Sequence, residues 1–262
     1  MTDTITTQDD GDSKVPALKE ALEDADADAR WEAAWALGNI GPAASAAVPA
    51  LIRLLKDEYD DVRQEAAKTL GNIGPAASAA VPALMEALED EDDDLRREAA
   101  RALGHIGSAA ISAVPALTEA LEDEDAMVRV GAAKSLRNII ATVPALIKAL
   151  NGKDEDERYR VAKSWRNIVA AIPTLIMAFK DKNADVQHWS TEAVGGIGSE
   201  AVPALMDALK DESVTVRWCA TTALGIIGPR ASAAIPALIK LLKDEYPRLQ
   251  SHAARTLGDI SP

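Results

Sequence analysis

Eight times along 262 residues the chain sets Val-Pro or Ile-Pro ahead of a small residue and Leu, with the pairs starting at 15, 48, 81, 114, 143, 172, 202 and 235. Successive starts are 33, 33, 33, 29, 29, 30 and 33 residues apart, the spacing of supersecondary units that bury their apolar faces on one another. Such a chain folds as a stacked array rather than around one central core, and it presents a long surface to partners. Only 3% of the residues are aromatic while 48% are hydrophobic, so the core is built from Ala, Leu, Val and Ile. The repeat runs unbroken over 15–262 and predicts one elongated domain, preceded by an acidic tail at 1–14.

Each repeat reads as two helices. The proline belongs to the first turn of the first helix, where its missing N–H costs nothing. Leu18 and Leu22, and again Leu51 and Leu55, are four apart and share a face. Eleven residues after each Val or Ile stand Asp26, Tyr59, Asp92, Asp125, Asp154, Asn183, Ser213 and Tyr246, six of them good caps for a second helix. On that helix Val62, Ala66, Leu70 and Ile73 fall on one face, as do Leu95, Ala99, Leu103 and Ile106, so these are core positions. The helix commonly closes on Gly-x-Ile-Gly, as in Gly38 to Gly41, where glycine suits a left-handed turn.

The stretch VRQEAAKTLGNIGPAASAAVPALMEAL, Val62 to Leu88, resembles the HEAT-like repeat named after the phycobilisome lyases, and the resemblance extends over 15–262. It implies an all-α, right-handed solenoid of eight antiparallel helix pairs whose second helices line the concave side. It also implies that the recurring Arg30, Arg63, Arg96, Arg129, Arg158 and Arg217 tie helices to turns. The family holds scaffolds, chromophore lyase subunits and a few metalloenzymes, so the fold leaves the activity open.

The informative residues lie opposite the core on the second helix, where exposed aromatics mark a binding surface. Trp31, Trp35, Trp189 and Trp218 fall there, with His105, His188 and His252. Lys68, Arg101, Lys134 and Lys163 form a basic row in a protein of formal net charge −14. Tyr159 and Arg160 complete the set of candidate partner-binding residues. The competing reading is that Trp31 and Trp35 shield the first repeat and that the Lys and Arg stems cover apolar neighbours. The spacing shortens after Val114: four residues are missing before Val143 and again before Ile172, and Arg137 and Arg166 replace a glycine. A local change of helix tilt is expected there, gathering Tyr159, Arg160, Lys163 and Trp189 into a pocket.

Charge in the turns, such as Glu89 to Asp94, reads as solvated helix-cap carboxylate forming an acidic ridge, without the DxDxDG pattern of a calcium loop. The acidic field disfavours nucleic acid and membrane surfaces as partners. No Walker A loop, GxSxG elbow or HExxH helix occurs, and the His-Glu dipeptides that the di-iron HEAT-like hydroxylases need are missing, so no catalytic residue, metal site or cofactor is expected. Cys219, the single cysteine, lies beside Trp218 as a lone candidate nucleophile and cannot form an intramolecular disulfide. No signal-like apolar stretch opens the chain, and the cytoplasm is the expected compartment. The function expected is a scaffold that binds another protein through the concave groove. The alternative implied by the resemblance is a bilin lyase subunit acting with a second HEAT-like subunit.

Overall fold

The computed structural model describes residues 13–142 and 155–261, without the side chains of residues 155–158, 160 and 161. Among the described residues every regular element is helical, and the architecture is an all-α repeat solenoid. Short helices α1 (Val15–Ala21), α3 (Val48–Leu54) and α5 (Val81–Ala87) alternate with the longer α2 (Ala27–Ile40), α4 (Asp60–Ile73) and α6 (Asp93–Ile106). There follow α7 (Val114–Glu119), α8 (Ala126–Ile140), α9 (Glu155–Ala170), α10 (Ile172–Met177), α11 (Ala184–Ile197), α12 (Val202–Ala208), α13 (Val214–Ile227), α14 (Ile235–Leu241) and α15 (Pro247–Ile260). The chain falls into two compact units, residues 1–113 and 114–262.

A seven-residue helix is too short to be stable alone, so the short helices owe their form to packing. Val48 and Leu51 are almost wholly buried, as are Val62, Ala66, Leu70 and Ile73 on the face read from the sequence. In the first unit α2 packs on α4 and α4 on α6; in the second α11 packs on α13 and α13 on α15. The long helices close on Gly41, Gly74, Gly107 and Gly228, with φ of 67° to 70°. Their ψ values, from −131° to −144°, lie outside the left-handed helical region that the sequence suggested. That conformation is even more restricted to glycine. It turns the chain into a 3-10 segment, as at Gly41–Ala47 and Gly228–Ala234, which leads into the next short helix. Two stretches, Ala27–Leu54 and Val214–Leu241, are long and apolar enough to cross a membrane, but each is broken at Gly41 or Gly228 and is not one straight helix.

The turns are clamped rather than merely solvated. Arg30 donates from Nε and Nη2 to both carboxylate oxygens of Asp57 in the next repeat, each at 2.8 Å, and from Nη1 to the carbonyls of Asp24 and Ala25. Arg63 reaches Asp90 at 3.2 Å and Arg217 reaches Asp244 at 2.9 Å, again one repeat onward. The carboxylates of Asp57, Asp90 and Asp244 also accept the amide two residues on, at 3.0 to 3.1 Å. The first aspartate of each such turn is therefore a structural part, and the expected ridge of free carboxylates is smaller than the sequence implied. Gln187 and Gln250 stand in for the arginine in their repeats, each donating to a turn carbonyl at 2.6 Å.

One repeat departs from the row. Arg129 pairs with Asp181, 52 residues on, at 2.7 Å. Correspondingly α8 packs directly against α11, while α9 of the fifth repeat touches α7 and α10. The glycines of the long helices differ there too. A Cβ on Gly38 would meet Thr69 Oγ1 at 2.7 Å, one on Gly71 would meet Ala102 Cα at 3.0 Å, and one on Gly195 would meet Ile226 Cγ2 at 2.7 Å. At these three positions a long helix approaches its successor too closely for a side chain, whereas at Gly225 a Cβ would stand 3.6 Å from Thr256 Oγ1, in ordinary contact. Arg137 and Arg166 occupy this position in the fourth and fifth repeats, and an approach as close as at Gly38, Gly71 or Gly195 has no room for either side chain. Relief comes from α11, where Gly196 brings its backbone against Ile140 of α8, with a Cβ there 3.2 Å from Ile140 Cγ2.

Candidate partner-binding site

The candidate residues project from the long helices, one or two turns beyond the clamped end. Offsets of 16, 20 and 24 from each Val or Ile are largely exposed, but the position at offset 17 is buried for Glu65, Glu98, Gly131 and Cys219 because it meets the neighbouring helix. This changes the meaning of the basic row in the first unit. Lys68 donates to both oxygens of Glu65 at 3.0 and 3.3 Å, and Arg101 donates to Glu98 at 3.0 Å. Both cations sit on the exposed face, yet each is matched by a glutamate held below it. Trp31 and Trp35, one turn apart, stack with centroids 6.5 Å apart and planes at 10°. They edge a recess of about 650 Å³ lined with Leu18, Ala21 and Ala29, which fits the reading that they shield apolar surface of the first repeat.

In the second unit the aromatics are held by neighbouring side chains. Lys134 Nζ lies 5.6 Å from the Trp189 ring centroid and Arg137 Cζ 6.0 Å from it, both within cation–π range. His188 meets the same ring edge-on at 4.7 Å. Among the described residues these ring contacts of Trp189 come from α8 and from its own helix. Tyr159 and Lys163 are exposed on α9, which lies against α7 and α10, and the Arg160 side chain lies outside the described residues. The pocket expected from Tyr159, Arg160, Lys163 and Trp189 includes a side chain outside the described residues; of the others, Tyr159 and Lys163 lie on α9 and Trp189 on α11, which packs against α8.

Trp218 stacks on His252 of the next repeat at 4.2 Å and 16°. The Thr222 hydroxyl donates to the Trp218 carbonyl at 3.0 Å and lies within hydrogen-bond distance, 2.9 Å, of His252 Nε2. Burial and the charge of Arg255 hold His252 below its ordinary value, against the opposing pull of Asp259. Beside Trp218 opens a cavity of about 450 Å³ lined by Gln187, Val214, Thr215, Tyr246, Arg248 and Leu249. Cys219 contributes to its wall but is buried, and that burial pushes its thiol up against the hydrogen bond with Thr191. A thiol so placed is protonated at neutral pH and is not an activated nucleophile. Among the described residues no three His, Cys, Asp or Glu side chains converge on a metal-sized site.

Sequence reasoning missed Tyr59 and Tyr246, which it noted only as the two residues at the cap position that are not good caps. Neither caps through its side chain. Each lies one repeat beyond an exposed tryptophan and under an arginine, Arg30 at 5.8 Å from the Tyr59 centroid and Arg217 at 5.6 Å from that of Tyr246. The signal was present as a duplicated pair of words, Arg-Trp at 30 and 217 and Lys-Asp-Glu-Tyr at 56 and 243.

Among solved structures, an engineered protein from the Northeast Structural Genomics Consortium is similar over 94% of this chain and 96% of its own, with 25% identity and a TM-score of 0.62. The archaeal HEAT-like repeats protein from Thermococcus onnurineus is similar over 98% of both chains, at 14% identity and a TM-score of 0.49. The complex of CpcE and CpcF of phycocyanin lyase from Nostoc is similar over 94% of both chains, at 21% and 0.44. No curated protein matches the chain in sequence. The family model for HEAT repeats matches residues 15–95, 81–166 and 172–258. With paired helices and clamped turns recurring at the same spacing, the chain belongs to the HEAT-repeat family.

Proposed function

We propose that this protein is a non-enzymatic scaffold that binds another protein through the exposed face of its long helices, the concave side in the family reading. The observation that carries the proposal is the aromatic row of the second unit. Trp189 under Lys134 and Arg137, and Trp218 on His252, are held in fixed orientation by neighbouring helices while presenting surface to solvent. Pre-set aromatic anchors lose little freedom on binding and dominate interface energies. Replacing Trp189 and Trp218 together by Ala is expected to weaken the partner by about 2 kcal/mol or more, roughly thirtyfold. Folding is expected to survive, since neither ring is fully buried. Affinity capture from the source cells with both forms of the protein supplies the partner, and calorimetry then measures the loss. Unchanged affinity removes this surface from the reading. A covalently coloured product on co-expression with a bilin-making pathway and an apo-phycobiliprotein would replace it with the lyase alternative.

A further inference from the structure

The Trp–Tyr arrangement occurs once in each unit. In the first, Ala27, Asp28, Trp31, Tyr59, Asp61 and Val62 line a cleft of about 160 Å³. In the second, Val214, Thr215, Trp218, Tyr246, Arg248 and Leu249 occupy the same repeat positions around the 450 Å³ cavity. The aromatic walls and the aliphatic floor are shared; the rims differ in charge. Where the first cleft has Asp28 and Asp61, the second has Thr215 and Arg248.

We propose that the cleft between Trp31 and Tyr59 is a receptor for one cationic side chain, lysine or arginine, from a basic segment of a partner protein. Its volume is that of about five water molecules and lies below the roughly 300 Å³ at which small-molecule pockets begin, so it suits a single side chain. Trp31 and Tyr59 are 36% and 51% exposed and both line the cleft, and aromatic rings attract the aliphatic stem and charged head of such a side chain. Asp28 and Asp61 stand at the rim, exposed. Among the described residues no cation pairs with either, whereas neighbouring Asp60 is held by Arg63 at 2.8 Å. Arg30 beneath Tyr59 does not compete for the site, because Asp57 already binds it through two bonds. The net charge of −14 draws a basic segment toward the protein from a distance. In the second unit Arg248 on the same rim repels such a segment, so that cavity serves as an internal control.

The proposal rests on the scaffold reading only for the origin of the basic segment; the cleft itself is tested without a partner. The full chain is labelled with 5-fluorotryptophan and its five tryptophan signals are assigned by single Trp→Phe changes. Nα-acetyl-lysine methylamide and the arginine analogue are titrated to tens of millimolar, with the norleucine analogue as the uncharged isostere. At least one cationic probe is expected to shift the Trp31 signal saturably while the Trp218 signal stays in place. The norleucine probe is expected to shift Trp31 at least fivefold less at equal concentration. Asp28→Asn with Asp61→Asn, both exposed and outside the clamps, is expected to reduce the cation-induced shift to the norleucine level. A Trp31 shift equal for norleucine, one that survives the double substitution, or none with either cation overturns the proposal. Because these readouts come from the first unit, they stand or fall separately from the loss of partner on changing Trp189 and Trp218.

Discussion

Asp57 accepts the Tyr59 amide within its own turn and the Arg30 guanidinium from the preceding repeat, with its side chain 8% exposed. Burial alone would push its carboxyl up, but the bonds from Arg30 and Tyr59 and the charges of Arg30 and Arg63 outweigh this and leave it below the ordinary value. Asp244 and Asp181 show the same balance with Arg217 and Arg129. A carboxylate depressed in the folded state binds fewer protons there than when unfolded, so its stabilisation is complete above the unfolded value of about 3.9 and is lost as pH falls through the folded one. The protein is therefore expected to lose stability below about pH 4. Asp57→Asn keeps an acceptor for the turn amide but leaves Arg30 without its counter-charge, and is expected to cost about 2 kcal/mol at pH 7. Urea unfolding at pH 7 and pH 3 checks this: the gap between wild type and variant should shrink at the lower pH. An equal gap at both values would show that the carboxylate's charge is irrelevant.

At the scale of the helix, close approach decides the effect of a glycine more than helix propensity does. Ala is favoured over Gly inside a helix by about 1 kcal/mol. At Gly71 the new methyl would stand 3.0 Å from Ala102 Cα, a backbone atom that cannot rotate away, and overpacking of this kind costs about 1–3 kcal/mol. Gly71→Ala is thus expected to destabilise the protein, and Gly258→Ala, with nothing within 4 Å, to stabilise it by about 0.5–1 kcal/mol. Thermal unfolding of the two variants should move in opposite directions; the same direction for both would refute the packing account. The helices themselves were legible, since Leu95, Ala99, Leu103 and Ile106 recur at the helical period and all are buried. The presence of Arg137 and Arg166 in place of glycine was legible too. Its consequence was not, because how closely two helices approach is a property of the pair and no single repeat encodes it. The clefts were half legible for a similar reason: Trp31 and Trp218 show their helical phase in the sequence, while Tyr59 and Tyr246 reach them only across a repeat boundary.

Within the second unit the pairing of α8 with α11 leaves α9 outside an otherwise regular row of long helices. Arg129 already clamps Asp181 at 2.7 Å, and Gly196 already admits Ile140, so the contacts that a neighbouring repeat would supply exist without α9 between them. Stability in stacked repeats is a sum of local terms and nearest-neighbour interfaces, and removing a unit outside the row spares the interface that matters. Joining Thr142 directly to Ile172 would place the next Pro-containing helix 29 residues after Val114, the spacing this chain itself uses between its fourth and fifth repeats. The shortened protein is expected to unfold cooperatively, with a midpoint within a few degrees of the full chain, a shift corresponding to about 1–2 kcal/mol. Ring-current-shifted signals of Trp189 and of the Trp218–His252 stack report whether the surface survives, and they should be retained. Loss of cooperative unfolding, or collapse of those signals with the helix content intact, would show that α9 supports the row from α7 and α10 and that the direct α8–α11 interface is not sufficient by itself.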